Sequence, residues 1–394
     1  MTLPLSGIFL LILLQGAADP LLPDHVLEPP GGPRIVLFST PGEEGVAMHV
    51  SIPLEEGATE AGWGWTLQEL AVSRAMGAVG QMGAMIQGRR SPWGISYLVA
   101  GPRREADHLG WILRVLLEEP TAASLDGLLN RALERAESRR ETPDGRLASV
   151  LLEMLVPGAL PLEGTPESLQ LLSAGLLREF WYRTHQRSNM TLVVVGDVTP
   201  ETILTLIHST GAPESARAGP LDLPFAFPSP APPPPPLRSW YGEGVLLPPA
   251  TSPLATMVAR LLSQRLEAGV IPGEARLDLH PLATSTALTL RGAVPPAREA
   301  ELQRAVEEIW LDGATSFHGE LLEVVRRDIS LQLLEGSATP WGLAEQEGWL
   351  LAAGAAPGAV AAYRDSLHAL DVEVVGRTLD RLLTEPRASW SLRP

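Results

Sequence analysis

The sequence predicts an α+β protein of two homologous domains, each a mostly antiparallel sheet with helices packed on one face. Three observations lead there. The chain has 394 residues, room for two domains of roughly 150–200 residues each. Short β-branched runs mix with longer helical stretches without strict βαβ alternation, which argues for α+β layers. A proline-rich stretch then divides the chain, and a looser version of the first plan follows it.

The elements can be justified in order. Leu5–Ala18 is an apolar run ending in small residues, with Gly16 and Ala18 placed for cleavage before Asp19. It is too short to span a bilayer comfortably and reads as a signal peptide over 1–18, although no Lys or Arg precedes its apolar core. A periplasmic or secreted location follows from that reading. The composition is rich in Ala, Gly, Pro and Leu and lacks lysine altogether, as in a GC-rich bacterial genome.

The first half, 19–212, opens with RIVLF (Arg34–Phe38) and VAMHVSI (Val46–Ile52), alternating runs joined by a Pro-Gly turn. A helix is expected from Gly64 to Gly80, a strand at Ile95–Gly101, and helices at Arg104–Leu117, Leu125–Arg140, Arg146–Leu155 and Ser173–Thr184. TLVVVGDV (Thr191–Val198) closes the half as a dense β-branched strand, with a helix after Thr199-Pro200. Residues 213–238 form the boundary. Pro232–Pro236 favours extended polyproline II and reads as a semi-rigid linker. In the second half, 239–394, strands are expected at Gly244–Pro248, Thr286–Gly292 and Ala388–Leu392. Helices are expected at Pro253–Glu267, Arg298–Trp310, Gly319–Leu334, Trp341–Ala353 and Val372–Leu383.

Composition excludes several kinds of function. A net charge of -16 supplies no basic footprint for phosphates, so nucleic acid is not an expected partner. The absence of cysteine removes disulfides, thiolate catalysis and Cys-based zinc sites. None of the eight histidines stands three or four residues from another, so no helical pair of histidine ligands exists.

One segment is more specific. Glu141–Glu201 contains in order a helix, Pro157-Gly158, GTPES (Gly164–Ser168), a helix ending in EFWY (Glu179–Tyr182), SNM (Ser188–Met190) and VVVGD (Val193–Asp197). That ordered set resembles the pitrilysin or insulinase-like metallopeptidases, which include the mitochondrial processing peptidases, and the resemblance spans nearly all of the mature chain. Active members carry H-x-x-E-H on the first helix of the first domain. The two His bind zinc from one helical face, the intervening Glu serves as general base, and a Glu on a later helix completes the ligands.

In the corresponding stretch EAGWGWTLQEL (Glu60–Leu70), the resemblance sets Trp65 at the first His, Gln68 at the base and Glu69 at the second His. An indole offers only an N–H donor and a neutral amide takes no proton from water, so no zinc and no catalysis are expected. The later Glu falls at Arg135, or with a one-residue gap at Glu134 or Glu137. Trp65 is expected to fill the vacated space, largely buried near Leu67 and Ala136. Family members also use an Arg and a Tyr of the second half to hold the substrate carbonyl; Arg265 matches the Arg, while Pro272 replaces the Tyr. An edge strand that binds extended peptide in the family corresponds to MGAMIQGRR, with Gln87 and Gly88 at its Asn-Ala positions. The resemblance therefore implies an inactive homologue, partnered by an active zinc peptidase paralogue or by a second copy of itself. The alternative is a stand-alone periplasmic peptide-binding or assembly protein.

Overall fold

The computed structural model describes residues 19–79, 83–103, 106–121, 125–208, 235–268, 274–315 and 317–394. The predicted signal segment 1–18 and residues 213–234 of the predicted linker lie outside them.

In chain order the first half contains β1 (His25–Leu27), β2 (Arg34–Ser39), β3 (Gly45–Pro53), α1 (Trp63–Val79), β4 (Met85–Ser91), β5 (Gly94–Pro102), α2 (Ala106–Leu116), α3 (Leu125–Glu141), α4 (Pro143–Leu155), α5 (Pro166–Gln170), α6 (Ala174–Thr184), β6 (Thr191–Gly196) and α7 (Pro200–His208). The second contains β7 (Ser239–Leu247), α8 (Pro253–Ala268), β8 (Glu274–Pro281), β9 (Thr286–Val294), α9 (Glu299–Thr315), α10 (Gly319–Ser337), α11 (Pro340–Ala352), α12 (Ala359–Ala369), α13 (Val372–Thr384) and β10 (Ala388–Leu392).

The α+β class and the two antiparallel-rich sheets are as the sequence predicts. The first sheet runs β1-β2-β6-β3-β5-β4, with β2 and β6 its parallel pair; the second runs β10-β7-β9-β8 and is wholly antiparallel. Within them, β6-β3-β5-β4 and β10-β7-β9-β8 are the same order, so the halves share one topology.

Each sheet is covered twice. On the inner face of the first, Ile35, Leu37, Met48, Val50, Tyr97 and Val194 pack against α1, α2 and α6. The alternate residues Val36, Phe38, Ala47, Leu98, Val193 and Val195 meet Leu343, Ala344 and Leu351 of α11, a helix from the other half. Side chains alternate across a strand, so burial on both sides explains why β2, β3 and β6 read as nearly unbroken apolar runs. The second sheet mirrors this arrangement. Val245, Leu247, Leu288 and Leu290 face α8, α9 and α13, while α4 of the first half lies across its other face through Leu147 and Leu151. One-sided helix packing is therefore completed by an exchange of one helix between the halves.

The exchanged helices begin alike. Thr142-Pro143-Asp144-Gly145 opens α4 and Thr339-Pro340-Trp341-Gly342 opens α11; each threonine hydroxyl accepts from the backbone N–H of its glycine. Proline suits the first helical turn, where its missing N–H leaves no bond unmade. A Cβ on Gly145 would sit 2.2 Å from the Arg139 carbonyl oxygen, and one on Gly342 1.6 Å from that of Gly336. Only glycine lets the new helix leave so close to the end of the old one.

Candidate functional site

Helix α1 is fixed before its side chains act. Glu56, in the loop after β3, caps its N-terminus: Oε1 accepts from Gly64 N–H at 2.7 Å and Oε2 from Gly62 N–H at 3.3 Å. The same carboxylate pairs with Arg90 of β4 at 3.1 Å, both side chains about 5% exposed or less, which ties the helix to the edge strand. Trp63 is fully buried, donates its indole N–H to the Ser168 carbonyl at 3.0 Å and stands edge-on to Phe180. Gly62 and Gly164 face each other with φ of +83° and +84°; a Cβ on either would strike the other's backbone. Glu60, fully buried, is held by Arg183 at 2.8 Å.

On this framework the residues at the ligand positions of the resembled zinc motif meet one another. Trp65 Nε1 donates to Glu69 Oε1 at 2.9 Å, and Arg135 of α3 donates through Nη2 to Glu69 Oε2 at 3.0 Å. The Arg135 guanidinium lies 5.5 Å from the centre of the Trp65 ring, within cation–π range. Of the three candidates on α3, Arg135 is the one that reaches Glu69; Glu134 is exposed. Gln68 is buried and faces Gly88 of β4, where a Cβ would fall 1.9 Å from its Nε2.

The donor set does not fit zinc. Trp65 and Arg135 offer hydrogens and no lone pair, and both Glu69 oxygens are already engaged. Among the described residues no group of three or more His, Cys, Asp or Glu converges as a metal site. Gln68, an amide where a general base would stand, cannot accept a proton from water at neutral pH.

Trp65 is expected to be largely buried, and it keeps some exposure; Trp63, two residues earlier on α1, is fully buried. On a helix, residues two apart point in different directions. Trp63 faces the core, while Trp65 lies in the cleft with Glu69 and Arg135.

The remaining predicted residues divide. β4 is the outer strand of its sheet, so part of its backbone N–H and C=O groups face away from β5. Gly88, opposite Tyr97, faces α1, whereas Gln87, opposite Leu98, takes the other face with Arg89, which pairs with Glu345 of α11 at 2.5 Å. Arg265 lies in the last turn of α8 and does not line either of the two cavities described next; Gly269 and Pro272 fall outside the described residues.

Two cavities flank the gap between the edge strands β4 and β8. One, about 780 Å³, is lined by Arg90, Leu152, Met154, Leu160 and Leu279 on the α4 side. The other, about 460 Å³, lies on the α11 side against Arg89, Leu279, Ile329, Leu333 and Trp349. The hairpin tips meet between the halves, where Trp93 Nε1 donates to the Ala283 carbonyl at 3.2 Å. These cavities leave no local signal in the sequence, because their walls come from both halves.

A two-domain α+β chain with this topology has the fold of M16-type peptidases, here with a site whose residues do not fit the metal. No protein-family model and no curated protein matches the chain. Solved structures do. A protease from Helicobacter pylori superposes with a TM-score of 0.76 at 15% identity, covering 95% of this chain and 100% of that one. A peptidase M16 inactive domain from Pseudomonas fluorescens gives 0.76 at 13% identity, covering 93% and 97%. The periplasmic protease PqqL from Escherichia coli gives 0.71 at 14% identity, with 96% of this chain matched to 46% of that longer one.

Proposed function

We propose that this chain is a non-catalytic M16-type homologue, the inactive subunit that pairs with an active zinc peptidase paralogue to enclose a peptide-processing chamber. The supporting observation is the Trp65–Glu69–Arg135 cluster, whose side chains hydrogen-bond one another where the resembled motif has metal ligands. The chain binds no zinc in this reading and contributes a wall and a peptide-holding edge rather than a reaction. The open edge of β4 supports that part: an extended peptide can add there as a further strand. The apolar segment before Asp19 supports export, and among the described residues no helix is long and apolar enough to cross a membrane.

The same open edge favours a second reading, a stand-alone envelope protein that holds peptides without a peptidase partner. Purification from the native source separates the two. The expected result is a mature chain beginning at Asp19, free of zinc by elemental analysis, co-purifying with a paralogue that has H-x-x-E-H. Peptides retained with no such paralogue would favour the second reading. Cleavage of a peptide library by the isolated chain would overturn both.

A further inference from the structure

The two cavities occupy equivalent places in the two halves. Counted from the Thr-Pro-x-Gly corners, Ser149, Leu152 and Glu153 of α4 correspond to Gln346, Trp349 and Leu350 of α11, and Arg135 corresponds to Gln332. The first three line the 780 Å³ cavity, and all four counterparts line the 460 Å³ one. The smaller cavity is thus the second half's counterpart of the larger one, and Gln332 in its lining corresponds to Arg135 of the Trp65 cluster.

Its chemistry is that of an apolar receptor. Ala255, Leu279, Ile329, Leu333, Trp349 and Leu350 supply its apolar wall. Its polar groups are largely engaged already: Tyr363 Oη donates to Thr256 Oγ1 at 2.9 Å, Gln332 Oε1 accepts from Arg260 at 2.7 Å, and Gln346 Oε1 accepts from Ser337 at 3.0 Å. Arg89 and Glu345 cancel each other's charge on its lining. Nothing there calls for a charged ligand, and the volume falls within the usual range for a ligand pocket.

Arg89 connects this cavity to the β4 edge. Among the described residues it is the one from the first half in the lining, and it points to the α11 side of β4. Side chains of a strand added beside β4 alternate between the sheet's two faces, so every second one projects on the face that Arg89 shares. We infer that the 460 Å³ cavity is a specificity pocket that receives one bulky apolar side chain, of the Phe, Leu or Met class, from an extended peptide laid along β4. The inference rests on the peptide-binding reading above and adds the side chain that reading selects.

The test uses the full chain and two fluorescein-labelled Gly-Ser nonapeptides that differ only in a central Phe or Ala, followed by fluorescence anisotropy. The Phe peptide is expected to bind about tenfold tighter, as burial of an aromatic ring predicts. Leu333→Trp, which fills the cavity from within, should erase the preference. Leu279→Trp should do the same from the half-exposed β8 edge, a position where folding is little at risk; circular dichroism checks both variants. Equal binding of the two peptides, unchanged by either substitution, overturns the pocket and leaves peptide binding intact. Binding of neither peptide overturns both.

Discussion

Helix α4 lies across the second sheet and helix α11 across the first, each entering from a Thr-Pro-x-Gly corner, yet the two interfaces divide their volume in opposite ways. Under α11 the strand supplies the bulk. His49 of β3, 3% exposed, fills the contact, and the helix yields with Gly348. Under α4 the helix supplies the bulk. Leu147 and Leu151 project, and the strand yields with Gly242 and Gly244 of β7. Leu151 and Gly348 stand at the same distance from their corners. Close packing fixes the sum of facing volumes and leaves its division free, so two halves can keep one backbone plan while their sequences diverge beyond recognition.

The sharpest way to break this comparison is to add one carbon to each yielding side. In Gly348→Ala the new Cβ would stand 2.0 Å from His49 Nδ1 and about 2.5 Å or less from two further ring atoms, in a ring that burial prevents from moving aside. The expected cost is about 3 kcal/mol, the upper part of the usual range for overpacking. In Gly242→Ala the nearest atoms are 2.9 Å away, at Leu151 Cδ1 and Arg291 Cγ, a much milder overlap that a small shift relieves; about 1 kcal/mol is expected. Urea midpoints of the two variants measure the difference. Equal losses would show that the interfaces are not complementary in this sense.

A smaller effect sharpens the same contrast through pH. His49 is buried with its Nδ1 unpartnered among the described residues. Burial, aided by the charge of Arg89, pushes its pKa down from 6.5 to about 3. Its neutral form is the one that folds. Stability is therefore complete above pH 6.5 and declines as pH falls toward 3, because the unfolded chain takes up the proton first. At pH 4.5 the loss amounts to about 2–3 kcal/mol. His49→Leu should remove most of that part of the acid lability with little change at pH 7. His185, fully buried and stacked on Trp181 with its pKa also near 3, supplies a remaining component that the variant leaves in place. Urea melts at pH 7 and 4.5 decide; an undiminished acid loss in His49→Leu would show that α11 does not depend on a neutral imidazole.

The same contrast explains what the sequence disclosed. Strands buried on both faces, such as β2, β3 and β6, announce themselves by β-branched runs, and their predicted limits fall within a residue or two of those observed. The unpredicted strands β1 and β8 are edges, and β8 alternates leucine with charge (EARLDLHP), so it lacked a continuous apolar signal. Helix α12 followed an Ala-Gly-Pro stretch that reads as loop, although Glu347 caps it from α11 by accepting from the N–H groups of Gly358, Ala359 and Val360. At the site, the family resemblance set Trp65, Glu69 and Arg135 at the ligand positions. It could not give their orientation, and burial went to Trp63 instead. The repeated Thr-Pro-x-Gly corner was visible in the sequence and marks both exchanged helices, but that each lies across the opposite sheet is a tertiary fact with no local signal.

The smallest expected effect concerns the closed cluster and tests whether it braces the fold or merely occupies it. Glu69 and Arg135 are 25% and 35% exposed, so solvent screens their pair, and Glu69→Gln should cost only about 0.5 kcal/mol. That is far below the Gly348 effect, though Glu69 stands where the family resemblance puts a metal ligand. The ligand set can be restored by substitution, with circular dichroism checking the fold: Trp65→His, Gln68→Glu, Glu69→His and Arg135→Glu together recreate H-x-x-E-H and its distal carboxylate. Because Trp65 and Glu69 lie four residues apart on α1 and Arg135 already reaches Glu69 from α3, the combined variant should take up one zinc ion per chain in equilibrium dialysis, while the parent takes up none. A folded variant that binds no zinc would mean that α1 and α3 have moved apart from the family's spacing, and the closed cluster would then be a consequence of altered geometry rather than of substitution on a preserved frame.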